Sequence, residues 1–146
     1  MYHSPGMQKL LDTCRDQGAR NVVVAEGLNW GYDLAGVVKG YALNDPRANN
    51  VAYSTHIYPA KGGPKDWELH VTPAVKKYAV LIGEFAPGGD SSLEKIVEYA
   101  DQHQLPWLAW CLHPSIKPCL IKNWDYVPTP YEEAVKKVLR QRIAKP

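Results

Sequence analysis

The sequence contains four short apolar runs, rich in β-branched and aromatic residues, with helix-like segments between them. Continuous apolar runs, as opposed to an alternation of apolar and polar residues, are typical of strands buried on both faces. Strands that alternate with helices pair in parallel through right-handed crossovers. The sequence therefore predicts an α/β fold with four buried parallel strands, over Asn21–Ala25, Asn50–Tyr58, Tyr78–Phe85 and Trp107–Leu112.

The first helix is predicted over Met7–Gly18, with Leu10, Leu11 and Cys14 on its buried face. Between the strands, segment 33–40 is predicted as a weak helix or an irregular turn, because glycine interrupts it. Segment 67–77 is a helix candidate that Pro73 limits.

Two later helices begin with capping signals. The helix over 91–104 starts with Ser91 and Glu94 at the spacing of a capping box, and the last helix starts at Thr129-Pro130 with Glu132 completing a second box. The apolar stripe of the 91–104 helix consists of Leu93, Ile96, Val97 and Ala100.

Composition narrows the class of the protein. The chain has 146 residues, enough for one domain with a core, and its net charge of +2 is too small to indicate a nucleic-acid partner. No apolar run approaches the roughly 20 residues of a membrane helix, so no membrane partner is expected. Met1 is not followed by a signal-peptide pattern, and the localisation stays open.

The three cysteines are Cys14, Cys111 and Cys119, an odd number that permits one bridge at most. Cys111 and Cys119 flank one loop and are able to pair, and three reduced thiols are the alternative. No spacing matches a zinc site, and we expect neither a metal nor a cofactor.

Polar and aromatic residues follow each predicted strand, where the carboxyl ends of parallel strands form one ligand-binding edge. A carboxylate, a histidine, a tyrosine and several tryptophans on such an edge are typical of a glycosidase. In this interpretation Glu84 attacks the anomeric carbon, and His56 and Tyr58 bind and orient its carboxylate. Trp30 and Trp110 stack on sugar rings.

Each of these residues also has a structural interpretation. A carboxylate at a strand end, such as Glu84, often caps a helix or accepts structural hydrogen bonds. His56 and Tyr58 are able to fill a polar layer of the sheet. Glu26 is either a carboxylate near a helix N-terminus or a second carboxylate of the site.

Six segments, in chain order, resemble the second half of the glycoside hydrolase family 5 enzymes, the cellulase family with a (β/α)8 barrel fold. Gly83-Glu84-Phe85 after an apolar strand is the most specific of them. The segments are Met7–Asn21, Leu28–Leu34, Tyr53–Pro59, Ile82–Phe85, Trp107–Leu112 and, near the end, Asn123–Asp125 with Pro128–Tyr131.

The resemblance implies half of a TIM barrel, strands five to eight, as a single half-barrel domain over residues 1–146. It implies Glu84 as the nucleophile, with His56 and Tyr58 as its partners. It also implies that Asn29, Trp30 and Trp110 bind a β-linked oligo- or polysaccharide substrate.

The sequence departs from the family pattern in two places. The family's acid/base glutamate lies in an Asn-Glu motif, and no Asn-Glu occurs in this sequence. Glu26 stands where the family usually has a small residue. We therefore expect weak cellulase-like hydrolysis of β-linked glucans or aryl β-glycosides, and a non-catalytic carbohydrate-binding scaffold or a fragment of a longer cellulase is the alternative.

A half barrel leaves two strand edges and one apolar sheet face open. Open edges pair with other chains, and large apolar patches associate. We expect a homodimer in which two copies complete a barrel-like ring.

Overall fold

The computed structural model describes residues 5–88 and 90–143 and contains a four-stranded parallel sheet. The strands are β1 (Val23–Glu26), β2 (Val51–Ile57), β3 (Val80–Phe85) and β4 (Trp107–Ala109). Their order in the sheet is their order in the chain, and each neighbouring pair is parallel. The predicted α/β fold with four parallel strands is confirmed.

Helices and turns connect the strands. None of the helices in the described ranges is long and apolar enough to cross a membrane. They are α1 (Met7–Asp16), the single turn α2 (Leu28–Gly31), α3 (Pro64–His70), α4 (Thr72–Val75), α5 (Asp90–Gln102) and α6 (Pro130–Ile143), with a π-helical turn over Val37–Tyr41 and a 3₁₀ turn over Pro59–Lys61.

Local signals account for most of these bounds. The predicted 67–77 helix is divided between α3 and α4, because Pro73 in the first turn of α4 has no amide hydrogen to continue a helix. In α6, the Thr129 hydroxyl accepts the amide of Glu132 at 3.2 Å, as the capping box predicts. The capping box of α5 involves the Ser91 side chain, which lies outside the described part of the chain.

The core lies between the sheet and the helices that pack on one of its faces. The predicted apolar stripe of α5 is buried, with exposed fractions of 8% or less. The side chains with no exposed surface include Leu34, Ile57, Val71, Ile82 and Phe85.

The prediction that the strands are buried on both faces is wrong. Side chains alternate between the two faces of a strand, and in β1 Ala25 is buried whereas Val24 is 46% exposed. In β4, Leu108 is 59% exposed for the same reason. The helices pack on one face of the sheet, so the apolar side chains of the opposite face, here called the open face, remain in contact with solvent.

The predicted buried face of α1 is also partly wrong. Leu10 is 49% exposed and Cys14 is exposed, whereas Leu11 and Arg15 are buried. The Arg15 guanidinium pairs with Asp45, with Nη2 and Oδ2 2.9 Å apart, and donates to two backbone carbonyls at 3.0 Å. A buried guanidinium requires such partners, and they tie α1 to the segments that enter β1 and β2.

Candidate active site

Glu84 lies on the open face of the sheet because β3 contains a bulge. Thr55 is paired with Ile82, whereas the next residue of β2, His56, is paired with Glu84, so Gly83 is an extra residue in β3. In a regular register, Glu84 would be displaced by one position and would face the helices. The bulge therefore brings Glu84 to the same face as His56.

Glycine is required at the bulge because the space beside it is filled. A Cβ atom on Gly83 would lie 2.1 Å from the hydroxyl oxygen of Ser54, in the middle of β2. Ser54 is completely buried, so its hydroxyl is surrounded by other protein atoms. The small residue thus permits the close approach of β2 and β3 just before Glu84.

One carboxylate oxygen of Glu84 has two neighbours from the end of β2. The Tyr58 hydroxyl donates a hydrogen bond to Oε1 at 2.5 Å, and the His56 Nδ1 atom lies 3.7 Å from the same oxygen. Burial, followed by the hydrogen bond to Glu84, raises the pKa of Tyr58. The phenol therefore keeps its proton and remains a donor to the carboxylate.

Glu26 contacts the same histidine from the end of β1. Its Oε2 atom lies 3.0 Å from the His56 Nε2 atom, so the two ring nitrogens of His56 each approach a different glutamate. The imidazole ring is consequently placed between the carboxylates of Glu26 and Glu84. Among the described residues, no hydrogen bond joins Glu26 to Glu84.

The turn α2 carries the most exposed aromatic ring of this edge. Asn29 and Trp30 both have left-handed backbone conformations, with φ angles of 55° and 60°, and the Trp30 side chain is 89% exposed. Gly31 has a φ of 79°, and a Cβ atom there would lie 2.7 Å from the His56 Nδ1 atom. The turn thus packs directly against the imidazole.

Lys61 holds this turn from the other side of the cleft. Its Nζ atom donates to the backbone oxygen of Asn29 at 3.1 Å and to the side-chain oxygen at 3.0 Å. The sequence analysis did not single out Lys61, which stands in an ordinary Lys-Gly-Gly-Pro loop. No pattern around it indicates that it reaches a turn more than 30 residues away.

These side chains enclose an open cleft of about 530 Å³. It is lined by Trp30, His56, Tyr58, Lys61 and Glu84. Four of the residues predicted for the site therefore lie together, and Glu26 adjoins them through His56.

Two of the residues predicted to bind substrate, Trp110 and Asn29, do not line the cleft. Trp110 follows β4, and its amide donates to the carbonyl of Phe85 at 2.9 Å, but it is not among the residues that line the cleft. The Asn29 side chain is occupied by Lys61 and also does not line the cleft. Within the described residues, no group of three or more His, Cys, Asp or Glu side chains is arranged to hold a metal ion.

The fold is similar to that of several solved carbohydrate-active proteins. A β-glucanase from Saccharophagus degradans in complex with cellotetraose matches 92% of this chain with a TM-score of 0.81 and 22% identity. A β-mannanase from Streptomyces thermolilacinus with mannohexaose matches 90% of the chain with a TM-score of 0.73 and 20% identity. The chain spans 46% and 47% of the lengths of these two proteins.

A curated relative and a family model agree with this similarity. Beta-mannanase/endoglucanase A of Caldicellulosiruptor saccharolyticus is 30% identical over 135 residues, which cover 84% of this chain and 10% of that protein. The family model described as cellulase (glycosyl hydrolase family 5) matches residues 4–115, well over half of the chain. The chain therefore belongs to the cellulase family, glycosyl hydrolase family 5.

Proposed function

We propose that this chain hydrolyses β-linked glucans and aryl β-glycosides, with Glu84 as the nucleophile. The observation that carries the proposal is the hydrogen bond from Tyr58 to Glu84, made at the carboxyl edge of a parallel sheet beside an open cleft. Both neighbours of the carboxylate approach Oε1. The second oxygen of the Glu84 carboxylate, Oε2, is therefore left for attack on an anomeric carbon in the cleft.

Tyr58, His56 and Glu26 act as positioning residues in this proposal. Tyr58 holds the Glu84 carboxylate in one orientation, and Glu26 holds His56 against the other side of the site. Retaining hydrolysis needs two carboxyl groups about 5–5.5 Å apart, with one protonating the leaving group. The His56 ring separates Glu26 from Glu84, so Glu26 is better placed to orient the imidazole than to act as that acid.

Substrates with good leaving groups suit such a site. The aryloxy group of an aryl glycoside departs as a stabilised phenolate and needs little protonation from an acid group. Trp30 supplies an exposed flat ring at the cleft rim for a sugar of the glycone. We therefore expect faster turnover of aryl β-cellobiosides than of unactivated β-1,4-glucans.

Hydrolysis of 4-nitrophenyl β-cellobioside tests the proposed nucleophile. We expect Glu84→Gln to lower kcat/KM on the order of 10³-fold or more, because the variant cannot form the glycosyl ester. Tyr58→Phe removes a hydrogen bond to a charged group and should lower kcat about 10–100-fold. Glu98→Gln, a change at an exposed position of α5, is the matched control and should leave the rate unchanged. Full activity of Glu84→Gln would refute the proposal.

Carbohydrate binding without turnover is a second candidate function. The observation that favours it is Trp30, a ring that is 89% exposed at the rim of the cleft. Calorimetric titration with cellotetraose separates the two functions. Binding that Trp30→Ala abolishes, together with no hydrolysis by the wild type, would select the binding function.

We also propose that a second copy covers the open face. Val22, Val24 and Leu108 are exposed by 51%, 46% and 59% on or beside this face. The outer edges of β1 and β4 have no strand partner among the described residues. A two-fold axis along the strand direction brings β4 beside β1 of the other copy and keeps all the strands parallel.

A further inference from the structure

Cys111 and Cys119 are neighbours in the segment that follows β4. The Cys111 amide donates to the carbonyl of Pro118 at 3.2 Å, and the Cys111 carbonyl accepts the amide of Leu120 at 2.9 Å. Cys111 is thus bonded to the residues on both sides of Cys119. A residue bonded in this way to both neighbours of another residue lies opposite it, so the backbones of Cys111 and Cys119 are adjacent.

The spacing of such a pair suits a disulfide. Paired backbones lie about 4.8 Å apart, and disulfides join Cα atoms about 4.4–6.8 Å apart. Both cysteines are reduced in the structure and both are partly exposed, so a small oxidant is able to reach them. The Cys111 thiol points back into its own loop, where it donates to the carbonyl of Ile116 at 3.4 Å.

The direction of the pKa shift of the Cys111 thiol agrees with a position close to Cys119. Burial raises the pKa of the Cys111 thiol, and the neighbouring Cys119 thiol and Glu84 carboxylate raise it further. The pair therefore lies beside the candidate active site. Cys14 is on the last turns of α1, which lead to the beginning of β1 at the opposite end of the strands.

We propose that Cys111 and Cys119 form a disulfide by exchange with small-molecule disulfides, such as oxidised glutathione. One protein thiolate attacks the small disulfide, which forms a mixed disulfide and releases one small thiolate. The second protein thiolate then attacks the protein sulfur of the mixed disulfide and releases the other small thiolate. The two protein thiols lose two electrons and two protons, and the small disulfide is reduced to two thiols.

The bridge closes a short loop that is already anchored on both sides. Trp110, before the loop, is bonded to Phe85 of β3, and the carbonyl of Cys119 accepts the Thr129 hydroxyl at 2.8 Å. Because its ends are already held in the native fold, the loop loses little further freedom there when the bridge forms. It stabilises the protein mainly by restricting the unfolded chain.

Thiol counting and mass spectrometry test the bridge. The reduced protein, unfolded in denaturant, should show three reactive thiols. After incubation in a buffer of oxidised glutathione with enough reduced glutathione to keep the exposed Cys14 thiol free, only one should remain. The oxidised protein should be lighter by about 2 Da, for the two hydrogens removed, with a cross-linked peptide pair containing Cys111 and Cys119. Its thermal midpoint should rise by about 5 °C over the reduced form.

Two variants make the result unambiguous. Cys14→Ser should keep both the loss of about 2 Da and the rise in the midpoint, because it leaves the pair intact. Cys119→Ser should lose both and carry at most a glutathione adduct. A wild-type protein that keeps all three thiols, that stops at the mixed disulfide, or that forms a bridge through Cys14 would overturn the proposal.

Discussion

At the scale of single residues, the turn that carries Trp30 is the least expected feature of the site. Asparagine adopts left-handed backbone angles readily, but a tryptophan with a φ of 60° does so rarely. Such a conformation costs on the order of 1–3 kcal/mol and persists where the surroundings enforce it. Lys61 supplies two hydrogen bonds to Asn29, and His56 packs against Gly31. We interpret the turn as a support that presents the Trp30 ring to a sugar.

Lys61→Met tests this support. Without the ammonium, the turn loses two hydrogen bonds and Trp30 is held less firmly. We therefore expect KM for 4-nitrophenyl β-cellobioside to rise about 5-fold, as for the loss of one weak binding contact, and kcat to stay within about two-fold of the wild-type value. Lys65→Met, at an exposed position of α3, is the matched control and should change neither constant. A fall in kcat at unchanged KM would show that Lys61 acts on the chemical step and not through Trp30.

At the scale of elements, the bulge in β3 sets the direction of Glu84. Gly83→Ala places a methyl group 2.1 Å from the buried Ser54 hydroxyl oxygen. Overpacking of this kind costs about 1–3 kcal/mol, so we expect the thermal midpoint to fall by about 5 °C and the rate to fall as Glu84 moves. The readouts are thermal denaturation by circular dichroism and the aryl cellobioside rate.

A second change distinguishes the clash from a general effect of alanine. Ser54→Gly makes room for the new methyl group, and the double variant should recover most of the lost stability. Gly63→Ala is the matched control, because no atom lies within 4 Å of the new Cβ and its φ of −120° is open to any residue. If the double variant is no more stable than Gly83→Ala, the contact with Ser54 is not the cause.

The ion pair that joins α1 to the sheet gives a pH-dependent prediction. Hydrogen bonds from Arg15 hold the pKa of Asp45 below its ordinary value of 3.8. Because the pKa of Asp45 is lower in the folded protein than in the unfolded chain, the pair stabilises the fold fully above the unfolded pKa. Its contribution is lost as the pH falls through the folded pKa. Asp45→Asn should therefore lower the midpoint by several degrees at pH 7, and the difference from wild type should shrink as the pH falls below 3.8 and through the lowered pKa of Asp45. A difference that stays constant with pH would contradict this assignment.

Local patterns predicted the elements better than the contacts between them. The four parallel strands, the buried stripe of α5 and the meeting of His56, Tyr58 and Glu84 follow from periodicity and from the parallel direction of the strands. The order of the strands in the sheet was implied only by the resemblance to a barrel family. The bulge in β3 could not be predicted in this way, because Gly83 has the pattern of an ordinary strand residue. The burial of Arg15 depends on Asp45, 30 residues away, and no local pattern reports a partner at that distance.

At the scale of the whole molecule, the helices cover one sheet face, and apolar side chains such as Val24 and Leu108 remain exposed on the open face. Exposed apolar side chains on an unpaired sheet favour association. Light scattering should give a mass twice the 16.4 kDa of one chain, falling to a single chain on dilution. The hydrolysis rate should then grow faster than linearly with protein concentration across that range.

Charges on the open face should prevent this association. We expect the double variant Val24→Lys, Leu108→Lys to remain a single chain at all concentrations, because two lysines at the interface lose hydration. Leu69→Lys, at a position of α3 that is 66% exposed, is the control and should associate as the wild type does. A wild type that scatters as 16.4 kDa throughout would end the homodimer proposal.

The central claim is that Glu84 attacks the sugar, and trapping the covalent intermediate tests it most directly. A 2,4-dinitrophenyl 2-deoxy-2-fluoro-β-cellobioside forms a slowly hydrolysed ester with the nucleophile of a retaining glycosidase. We predict a protein heavier by one fluorocellobiosyl group, with the label on the peptide that contains Glu84 and none on Glu84→Gln. Label on Glu26, or no label on a protein that hydrolyses the aryl cellobioside, would contradict the account.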